Sequence, residues 1–292
     1  MNFKILVSTI LFAASSFISI PFSNSFSIVE ATEIVNKNEM NSVDFVKSLG
    51  VGINLANSMN GHAHQLKDTE YIQGIYKPLG YETFELFMEA RILSPNRRGK
   101  INQNVIDTIY NKGFRTVRIP ISYSNHMNKN GVITTAWKNR VQEVVDMFLS
   151  HEDMHVIITL MESPIIYNYG DNSYFLSDAY YTQTHDLIYN TWSQMGEVFK
   201  NYDNRLIFEN MNEPQYDKDN RWAFWFTSKG VNKPDLYKEA NENLMKHNQT
   251  FVDTVRACGG NNADRYLLIN PVGNIFEYAY DTRTTNISEF NF

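Results

Sequence analysis

The chain has 292 residues, of which 43% are hydrophobic and 14% are aromatic, and its formal net charge is −6. This length suits one large domain or two small ones and is ample for a large core. The negative charge argues against nucleic acid as a partner, because phosphate binding requires a basic surface. The many aromatic residues belong either to a generous core or, in part, to a groove where sugar rings stack on them, and composition favours neither.

The N-terminal segment, residues 1–31, is predicted to be a secretory signal. Lys4 supplies a positive charge ahead of an apolar stretch over 5–22 that several serines interrupt. A stretch so short and so broken is more typical of a signal than of a membrane span, although an uncleaved anchor is the alternative. Small residues suited to cleavage end at Ser25 and at Ala31. We therefore expect a secreted protein that is not attached to a membrane after cleavage.

Few residues point to covalent or metal chemistry. Cys258 is the only cysteine, so no internal disulfide is possible and stability must come from the core. Asn248-Gln-Thr and Asn286-Ile-Ser are glycosylation sequons, which matter only in a eukaryotic host. His62 and His64 lie close in sequence without a matching ligand cluster, and we interpret them as loop residues. We predict no metal and no cofactor.

Beyond residue 40, apolar runs typical of strands alternate with amphipathic helical stretches. This alternation is typical of a parallel α/β architecture, and the continuous apolar runs suit strands buried on both faces. Strands are predicted over 51–55, 115–121, 155–160, 205–210 and 265–269. Helices are predicted over 104–112, 137–150, 192–199 and 244–258, from apolar residues at a period near 3.6.

Asn-Glu-Pro at 212–214 follows the fourth predicted strand. Because proline cannot donate to a strand ladder, we expect the strand to end here, with Glu213 at its carboxyl end. In a parallel barrel that end is where active sites are built. A carboxyl group fixed by Pro214 and flanked by the Asn212 amide suits a general acid. Taken alone, three residues fit an ordinary loop carboxylate better.

Several segments together resemble glycoside hydrolase family 5, the cellulase-like (β/α)8 barrels. The resemblance runs from about Val51 to Pro271. It is carried by Gly-Ile-Asn-Leu-Ala-Asn at 52–57, by Gly-Phe-Arg-Thr-Val-Arg-Ile-Pro at 113–120, by Phe-Glu-Asn-Met-Asn-Glu-Pro at 208–214, and by residues 251–266, which match the helix and loop that lead into the fifth strand.

The resemblance implies a TIM-barrel catalytic domain, which we assign to residues 40–292, and retaining hydrolysis of β-glycosidic bonds by two carboxylates. Glu213 matches the acid/base of the family. Asn212 matches the asparagine that bonds the 2-hydroxyl of the substrate. Arg118 matches the second-strand arginine, which would keep the nucleophile ionised and oriented. A structural ion pair under the barrel mouth is the alternative for Arg118.

Further residues are expected near the substrate. His126 matches a histidine that some branches of the family place in the cleft, and a solvated loop histidine is the alternative. Asn57 ends the first-strand motif and is expected to bind substrate. The carboxyl ends of parallel strands share one face of a barrel. We therefore expect Asn57, Arg118, Glu162 and Glu213 near one rim.

The C-terminal part departs from the family pattern. One clear strand follows Glu213, so we expect about five of eight βα units and a barrel that is incomplete at its C-terminal end. The family's His-Tyr pair on strand six and its nucleophile on strand seven have no counterpart. Glu277 and Glu289 are rejected as nucleophiles because neither follows a fresh βα unit. We expect a fragment of a longer gene or a degenerate homologue.

The third strand departs as well. The family's third strand normally ends in a His-His pair, where this sequence has Met161 and Glu162, and Ala56 mildly changes the first-strand motif. An open barrel would also leave the fifth strand as an unpaired edge and expose apolar helix faces. The isolated chain is therefore expected to aggregate or fold poorly.

Two function classes follow from these observations. The first is an endo-β-1,4-glucanase-like hydrolase for β-glucan or a related plant polysaccharide, with xyloglucan, lichenan or mannan also possible. The second is a non-catalytic glycan-binding or degenerate homologue. Without a nucleophile, the chain as given is expected to hydrolyse β-glucan at or near background.

Overall fold

The computed structural model describes residues 5–7, 42–55, 58–60, 74, 77–79, 100–161, 174–217, 219–220, 226–227, 230–231 and 234–272. Within these residues, six strands form one sheet and two short strands form a separate hairpin. Every pair of neighbouring strands in the larger sheet is parallel. Helices connect the successive strands of this sheet, which confirms the predicted α/β architecture.

The strands are β1 (Ile5–Val7), β2 (Gly52–Asn54), β3 (Thr116–Ile121), β4 (His155–Leu160), β5 (Leu206–Glu209), β6 (Phe226–Thr227), β7 (Gly230–Val231) and β8 (Leu267–Ile269). The described helices are α1 (Ser42–Ser48), α2 (Gln103–Asn111), α3 (Thr135–Leu149), α4 (Tyr181–Phe199) and α5 (Tyr237–Ala257). Short 3-10 turns lie at Lys77–Leu79, Ser124–His126, Asp178–Tyr180, Pro234–Leu236 and Gly260–Ala263.

The sheet order is β1-β8-β5-β4-β3-β2, so five strands follow one another in the order of the sequence, and β1 lies beyond the last of them. All five predicted strands are confirmed, with ends within two residues of the prediction. The four predicted helices are also confirmed, although α4 and α5 begin earlier than expected. Their first turns are mostly polar, so the apolar period became visible only further along each helix.

Local sequence explains where the helices begin and end. The Asn102 side chain accepts a hydrogen bond from the backbone N–H of Val105, which caps α2. Thr134 caps α3 in the same way through the N–H of Trp137. Such caps satisfy backbone donors that the helix itself leaves without partners. Gly113 follows α2 with φ of 91°, a left-handed conformation in which a side chain would be strained, and turns the chain into β3.

The two faces of the sheet have different neighbours. Alternate residues of a strand point to opposite faces. One face packs against the helices in a large apolar core that includes Val117, Ile158, Phe208 and Trp192. The other face carries a smaller cluster of six buried residues: Phe45, Leu49, Ile157, Ile207, Tyr266 and Leu268. Phe45 of α1 stacks on Tyr266 with ring centroids 3.5 Å apart, so α1 packs against part of this second face.

Arg265 is a fully buried cation that ties β5 and β8 to the end of α4. Its guanidinium donates to the side chain of Asn262 and to four backbone carbonyls, including those of Phe199 and Leu206. It also lies over the Phe208 ring, 4.8 Å from the centroid. Burial lowers the pKa of Arg265 to about 10, and the Asp203 charge opposes that shift. Each donor nevertheless has an acceptor, as a buried polar group requires.

The prediction that the fifth strand is an unpaired edge is wrong for the full chain. Ile5–Val7 runs parallel to β8, with Leu6 beside Leu268. An open strand edge presents N–H and C=O groups that an extended segment can satisfy. The pairing segment belongs to the predicted signal, so removing residues 1–31 would expose this edge. In the part of the chain that the structure describes, no helix combines the length and apolar character needed to cross a membrane.

Candidate active site

Arg118 in the middle of β3 and Glu209 at the carboxyl end of β5 are brought together in the sheet. Arg118 Nε lies 2.6 Å from Glu209 Oε2, and Arg118 Nη2 lies 2.9 Å from Glu209 Oε1. The side chains are 11% and 2% exposed, respectively. Two parallel charge-assisted hydrogen bonds are the strongest geometry available to this pair of groups. Arg118 is therefore held in a fixed orientation.

The same guanidinium reaches Asn212. Arg118 Nη2 donates to Asn212 Oδ1 at 2.9 Å, and Arg118 Nη1 approaches Asn54 Oδ1 at 3.5 Å. With Oδ1 of Asn212 occupied by a donor, its Nδ2 group is turned away from Arg118. An amide nitrogen carries only donors. Asn212 therefore offers a hydrogen-bond donor, and it suits a hydroxyl oxygen or a carboxylate as its partner.

Buried amides support Glu209 from behind. Asn270, directly after β8, donates from Nδ2 to Glu209 Oε1 at 2.9 Å and accepts from the backbone N–H of Met211 at 3.3 Å. Asn248 of α5 donates to the Asn270 carbonyl, and Asn210 donates to Asn248 Oδ1. This chain of amides connects α5 to the carboxyl ends of β5 and β8.

The charge state of Arg118 follows from this surrounding. Burial disfavours the cation, but the adjacent Glu209 carboxylate outweighs burial and raises the pKa of Arg118 above its ordinary value. Tyr174 and Glu213 contribute in the same direction. Arg118 is therefore permanently positively charged, and Glu213 lies near enough to interact with this charge.

Glu213 has an unusual backbone. Its φ is 45°, in the left-handed region, and it is the one non-glycine residue with positive φ among the described residues. Such conformations are costly for residues with a side chain and concentrate at functional sites. The Glu213 side chain is exposed, while Pro214 next to it is buried. The turn thus presents the carboxyl group to solvent at the end of β5.

A second segment holds this turn in place. Backbone N–H of Asn212 donates to the Tyr174 hydroxyl at 3.1 Å, and that hydroxyl donates to the Asn212 carbonyl. Phe175 forms a parallel bridge with Gln215, and Leu176 N–H donates to the Gln215 carbonyl at 2.8 Å. Residues on both sides of Glu213 are therefore fixed to the segment that precedes α4.

The predicted site residues are only partly described. Arg118 and Asn212 are in contact, and Glu213 directly follows Asn212 in the chain. Asn57 and Glu162 lie outside the described residues, so their expected place at the rim stays a prediction. The same holds for the loop interpretation of the two histidines near residue 63 and for the two rejected C-terminal glutamates.

The position of His126 rules out one of its two interpretations. It is 3% exposed, and its ring stacks on Trp137 with centroids 3.8 Å apart. The interpretation as a solvated loop histidine is therefore wrong, because the short turn after β3 folds the ring inward. Its contact with substrate stays a prediction. In the described ranges, no group of three or more histidine, cysteine, aspartate or glutamate side chains could hold a metal ion.

Two further sequence expectations can be compared with the structure. The thioether sulfur of Met161, at one expected histidine position, accepts from Asn60 Nδ2 at 3.3 Å. A weak, neutral acceptor thus replaces an imidazole there. The Asn248 sequon is 1% exposed and its amide is hydrogen-bonded at both ends, so the folded protein cannot carry a glycan at this residue.

Sequence reasoning missed Glu209, Asn270 and Tyr174. Glu209 had a readable signal, because it is a charged residue in an otherwise apolar strand and therefore needs a buried partner. The sequence alone does not show that Arg118 is that partner, because β4 lies between β3 and β5 in the sheet. Asn270 and Tyr174 had no comparable signal, because their roles depend on long-range contacts.

Comparison with known proteins identifies the family of this chain. Residues 76–286 match the model of the family described as cellulase, glycosyl hydrolase family 5. The chain belongs to glycosyl hydrolase family 5. The family's (β/α)8 barrel is represented by the consecutive parallel strands β2, β3, β4, β5 and β8, as in an incomplete barrel. The predicted domain limits, 40–292, are wider than the match and stay a prediction.

Relatives of this family 5 chain are endoglucanases. Endoglucanase B of Ruminococcus albus is 34% identical over 169 residues, which are 58% of this chain and 36% of the relative. Endoglucanase A of Clostridium longisporum is 26% identical over 247 residues, which are 85% of this chain and 40% of the relative. The chain thus spans well under two thirds of the length of these relatives.

A solved structure is similar over most of the described fold. The family 5 lichenase from Caldicellulosiruptor sp. F32 is 30% identical with a TM-score of 0.65, covering 87% of this chain and 60% of the lichenase. A mutant of that lichenase in complex with cellotetraose is 29% identical with a TM-score of 0.64 and the same coverage.

Proposed function

We propose that this chain carries the acid/base side of the active site of a retaining glycoside hydrolase that acts on β-linked glucan, with Glu213 as proton donor. The observation that carries the proposal is the position of Glu213, in a left-handed turn directly after Asn212, whose side chain Arg118 holds at 2.9 Å. Family membership supports the reaction class.

In the proposed reaction, the Glu213 carboxyl group gives its proton to the glycosidic oxygen as the bond to the anomeric carbon breaks. A carboxylate nucleophile takes up that carbon in the same step and forms a covalent glycosyl-enzyme. Glu213, now ionised, removes a proton from water, whose oxygen attacks the anomeric carbon and releases the nucleophile. The nucleophile is not among the residues that we assign in this chain.

In this proposal, Asn212 binds the sugar and Arg118 stabilises the nucleophile. Asn212 donates from Nδ2 to the 2-hydroxyl oxygen, because its Oδ1 is occupied by Arg118. A hydrogen bond to this hydroxyl strengthens as positive charge develops at the anomeric carbon. Arg118 also places a buried positive charge where an ionised carboxylate nucleophile would be stabilised.

The proposed substrate is a polysaccharide with β-1,4-linked glucose segments. The relatives named above are endoglucanases, and a mutant of the lichenase was solved in complex with cellotetraose. Xyloglucan, lichenan and mannan are alternatives with the same backbone linkage or a related one. A polysaccharide is too large to enter a cell, so the enzyme must meet it outside. Secretion directed by the segment 1–31 is therefore part of the proposal.

A non-catalytic glycan-binding homologue is the second candidate function. The observation that favours it is Met161, a thioether where the family has a histidine, with Asn60 as its hydrogen-bond donor. An imidazole can exchange protons near neutral pH and a thioether cannot. Under this alternative, the site would hold a β-glucan chain without cleaving it.

The test combines binding and hydrolysis on the purified chain, with circular dichroism and a cooperative melt as the check of folding. We expect cellotetraose to bind by calorimetry and Asn212→Ala to weaken binding about tenfold, the loss of one good hydrogen bond. Reducing ends from carboxymethyl cellulose and β-glucan should stay at background. Turnover that vanishes in Glu213→Gln would support the hydrolase. It would also contradict the expectation that this chain has no nucleophile. A folded chain that does not bind cellotetraose would contradict the proposal.

A further inference from the structure

We propose that Glu209 is a positioning residue that acts through Arg118 to orient the Asn212 side chain toward the sugar. This inference rests on the proposed function, because it assigns a further residue to the same site. Glu209 is the last residue of β5, three positions before Asn212. No part of its role requires contact with substrate.

Burial excludes Glu209 from direct contact with a glycan. Its side chain is 2% exposed. Both oxygens are engaged, since Oε2 accepts from Arg118 Nε, and Oε1 accepts from Arg118 Nη2 and from Asn270 Nδ2. A carboxylate held in this way is a fixed anchor, and its position is determined by β5 and β8 rather than by solvent.

The link from Glu209 to Asn212 passes through a single nitrogen. Arg118 Nη2 lies 2.9 Å from Glu209 Oε1 and 2.9 Å from Asn212 Oδ1. This nitrogen carries two hydrogens in the plane of the guanidinium. When Glu209 fixes that plane by two contacts, the direction of the second hydrogen is fixed as well. The Asn212 amide must then present Oδ1 to Arg118 and Nδ2 to the cleft.

Both carboxylate oxygens of Glu209 are needed for this arrangement. A glutamine at this position would accept through one oxygen only and would turn an NH2 group toward another donor, either Arg118 Nε or Nη2. The guanidinium would lose one of its two contacts and could rotate about the other. Asn212 could then flip its amide and offer an oxygen to the sugar hydroxyl.

The first test measures the order of Arg118 directly and needs no glycan. In ¹⁵N-labelled protein, the Nε–H of Arg118 should give a resolved signal that exchanges slowly with water, identified by its absence in Arg118→Lys. We expect Glu209→Gln to broaden or abolish this signal and to alter the Asn212 Nδ2 signals. Asp203→Asn is the matched control, because Asp203 also pairs with an arginine, Arg205, at the other end of the same strand. It should leave the Arg118 signal unchanged.

The second test is a double-mutant cycle on cellotetraose affinity. Glu209→Gln should weaken binding about tenfold in the wild-type background. In the Asn212→Ala background it should weaken binding less than about twofold, because the amide that Glu209 orients is then absent. Glu209→Asp, which keeps the charge but is shorter, should recover part of the affinity. A general structural defect would weaken binding by the same factor in both backgrounds.

The two readouts separate the two proposals. An Arg118 signal that persists unchanged in Glu209→Gln would overturn the positioning role, whatever the affinity. Equal losses in both backgrounds of the cycle would overturn it as well. Loss of the Arg118 signal in a protein that does not bind cellotetraose would support the role of Glu209 in ordering Arg118 and contradict the proposed glycan function.

Discussion

Arg118 and Glu209 lie on strands that are not neighbours, yet they form a two-point ion pair with contacts of 2.6 and 2.9 Å. The strand between them, β4, places Thr159 in register with Glu209. Thr159 is in turn in register with Pro120, two residues after Arg118, so the three side chains point to the same face of the sheet. The pair therefore joins the middle of β3 to the carboxyl end of β5, and Asn270 extends the same network to the end of β8.

Removing Arg118 should destabilise the fold strongly. Arg118→Ala leaves the Glu209 carboxylate buried without its cation, and the expected loss in the free energy of unfolding is about 3–5 kcal/mol. The double variant Arg118→Met with Glu209→Gln removes both charges and should cost less than Arg118→Ala alone. Urea unfolding followed by circular dichroism measures both. A loss below about 1 kcal/mol in Arg118→Ala would mean that water replaces the guanidinium.

Replacing Arg265 by lysine should destabilise the fold although the charge is kept. Its guanidinium serves five acceptors from the ends of α4, β5 and the turn before β8. Arg265→Lys supplies three donors, so at least two acceptors lose their partner at about 1–3 kcal/mol each. Lys238→Arg, at an exposed position of α5, is the control. Equal urea midpoints for Arg265→Lys and the wild type would contradict the role given to these bonds.

The fold should lose stability as the pH falls from about 6.5 to about 4, in part through His247. Burial lowers the pKa of His247 to about 4, and the charges of His185 and Lys246 add to the shift. In that window the unfolded chain binds a proton on this ring and the folded chain does not. Stability therefore rises with pH, by up to about 3 kcal/mol for this residue.

The check on His247 is the pH dependence of urea unfolding. His247→Phe keeps a ring that can stack on Tyr181, as the histidine does at 4.7 Å between centroids. We expect a smaller change in stability between pH 6.5 and pH 4 in this variant. His185→Gln, at a more exposed ring, should retain most of the slope. An unchanged slope in His247→Phe would show that another group dominates the acid response.

Pairing of β1 with the edge of β8 should limit association between copies of the chain. Ile5–Val7 covers this edge in the full chain. Residues 32–292 alone should therefore aggregate at lower concentration than the full chain, because unpaired strand edges join one another. Leu6→Pro, which keeps the full length but weakens the β1 pairing, should behave like the shortened chain. Light scattering on the three proteins measures this, and identical scattering would contradict the pairing.

Much of the fold was predictable because it follows from local patterns. The buried run at 155–160 and the apolar period of α3 each identify an element without reference to the rest of the chain. The first turns of α4 and α5 were missed because polar residues show no such period. The pairing of β1 with β8 was not predictable, since a signal-like segment gives no indication of the edge that it meets.

The site was predictable only as far as motifs carry it. Asn-Glu-Pro identified Asn212 and Glu213, and the second-strand motif identified Arg118. The partner of Arg118 was not found, because the pairing depends on where β4 and β5 place Glu209 in space. The buried environment of His126 depends in the same way on its contact with Trp137.

A reaction with α-cellobiosyl fluoride tests whether Glu213 is the acid/base of this site. This donor has the anomeric configuration of the covalent intermediate, so it needs no nucleophile. Glu213 would remove a proton from an acceptor hydroxyl, whose oxygen bonds to the anomeric carbon while fluoride leaves. The full chain should release fluoride and form a longer β-linked product, and Glu213→Gln should lower the rate about 100-fold or more. Equal fluoride release and product formation by the full chain and by Glu213→Gln would contradict the assignment.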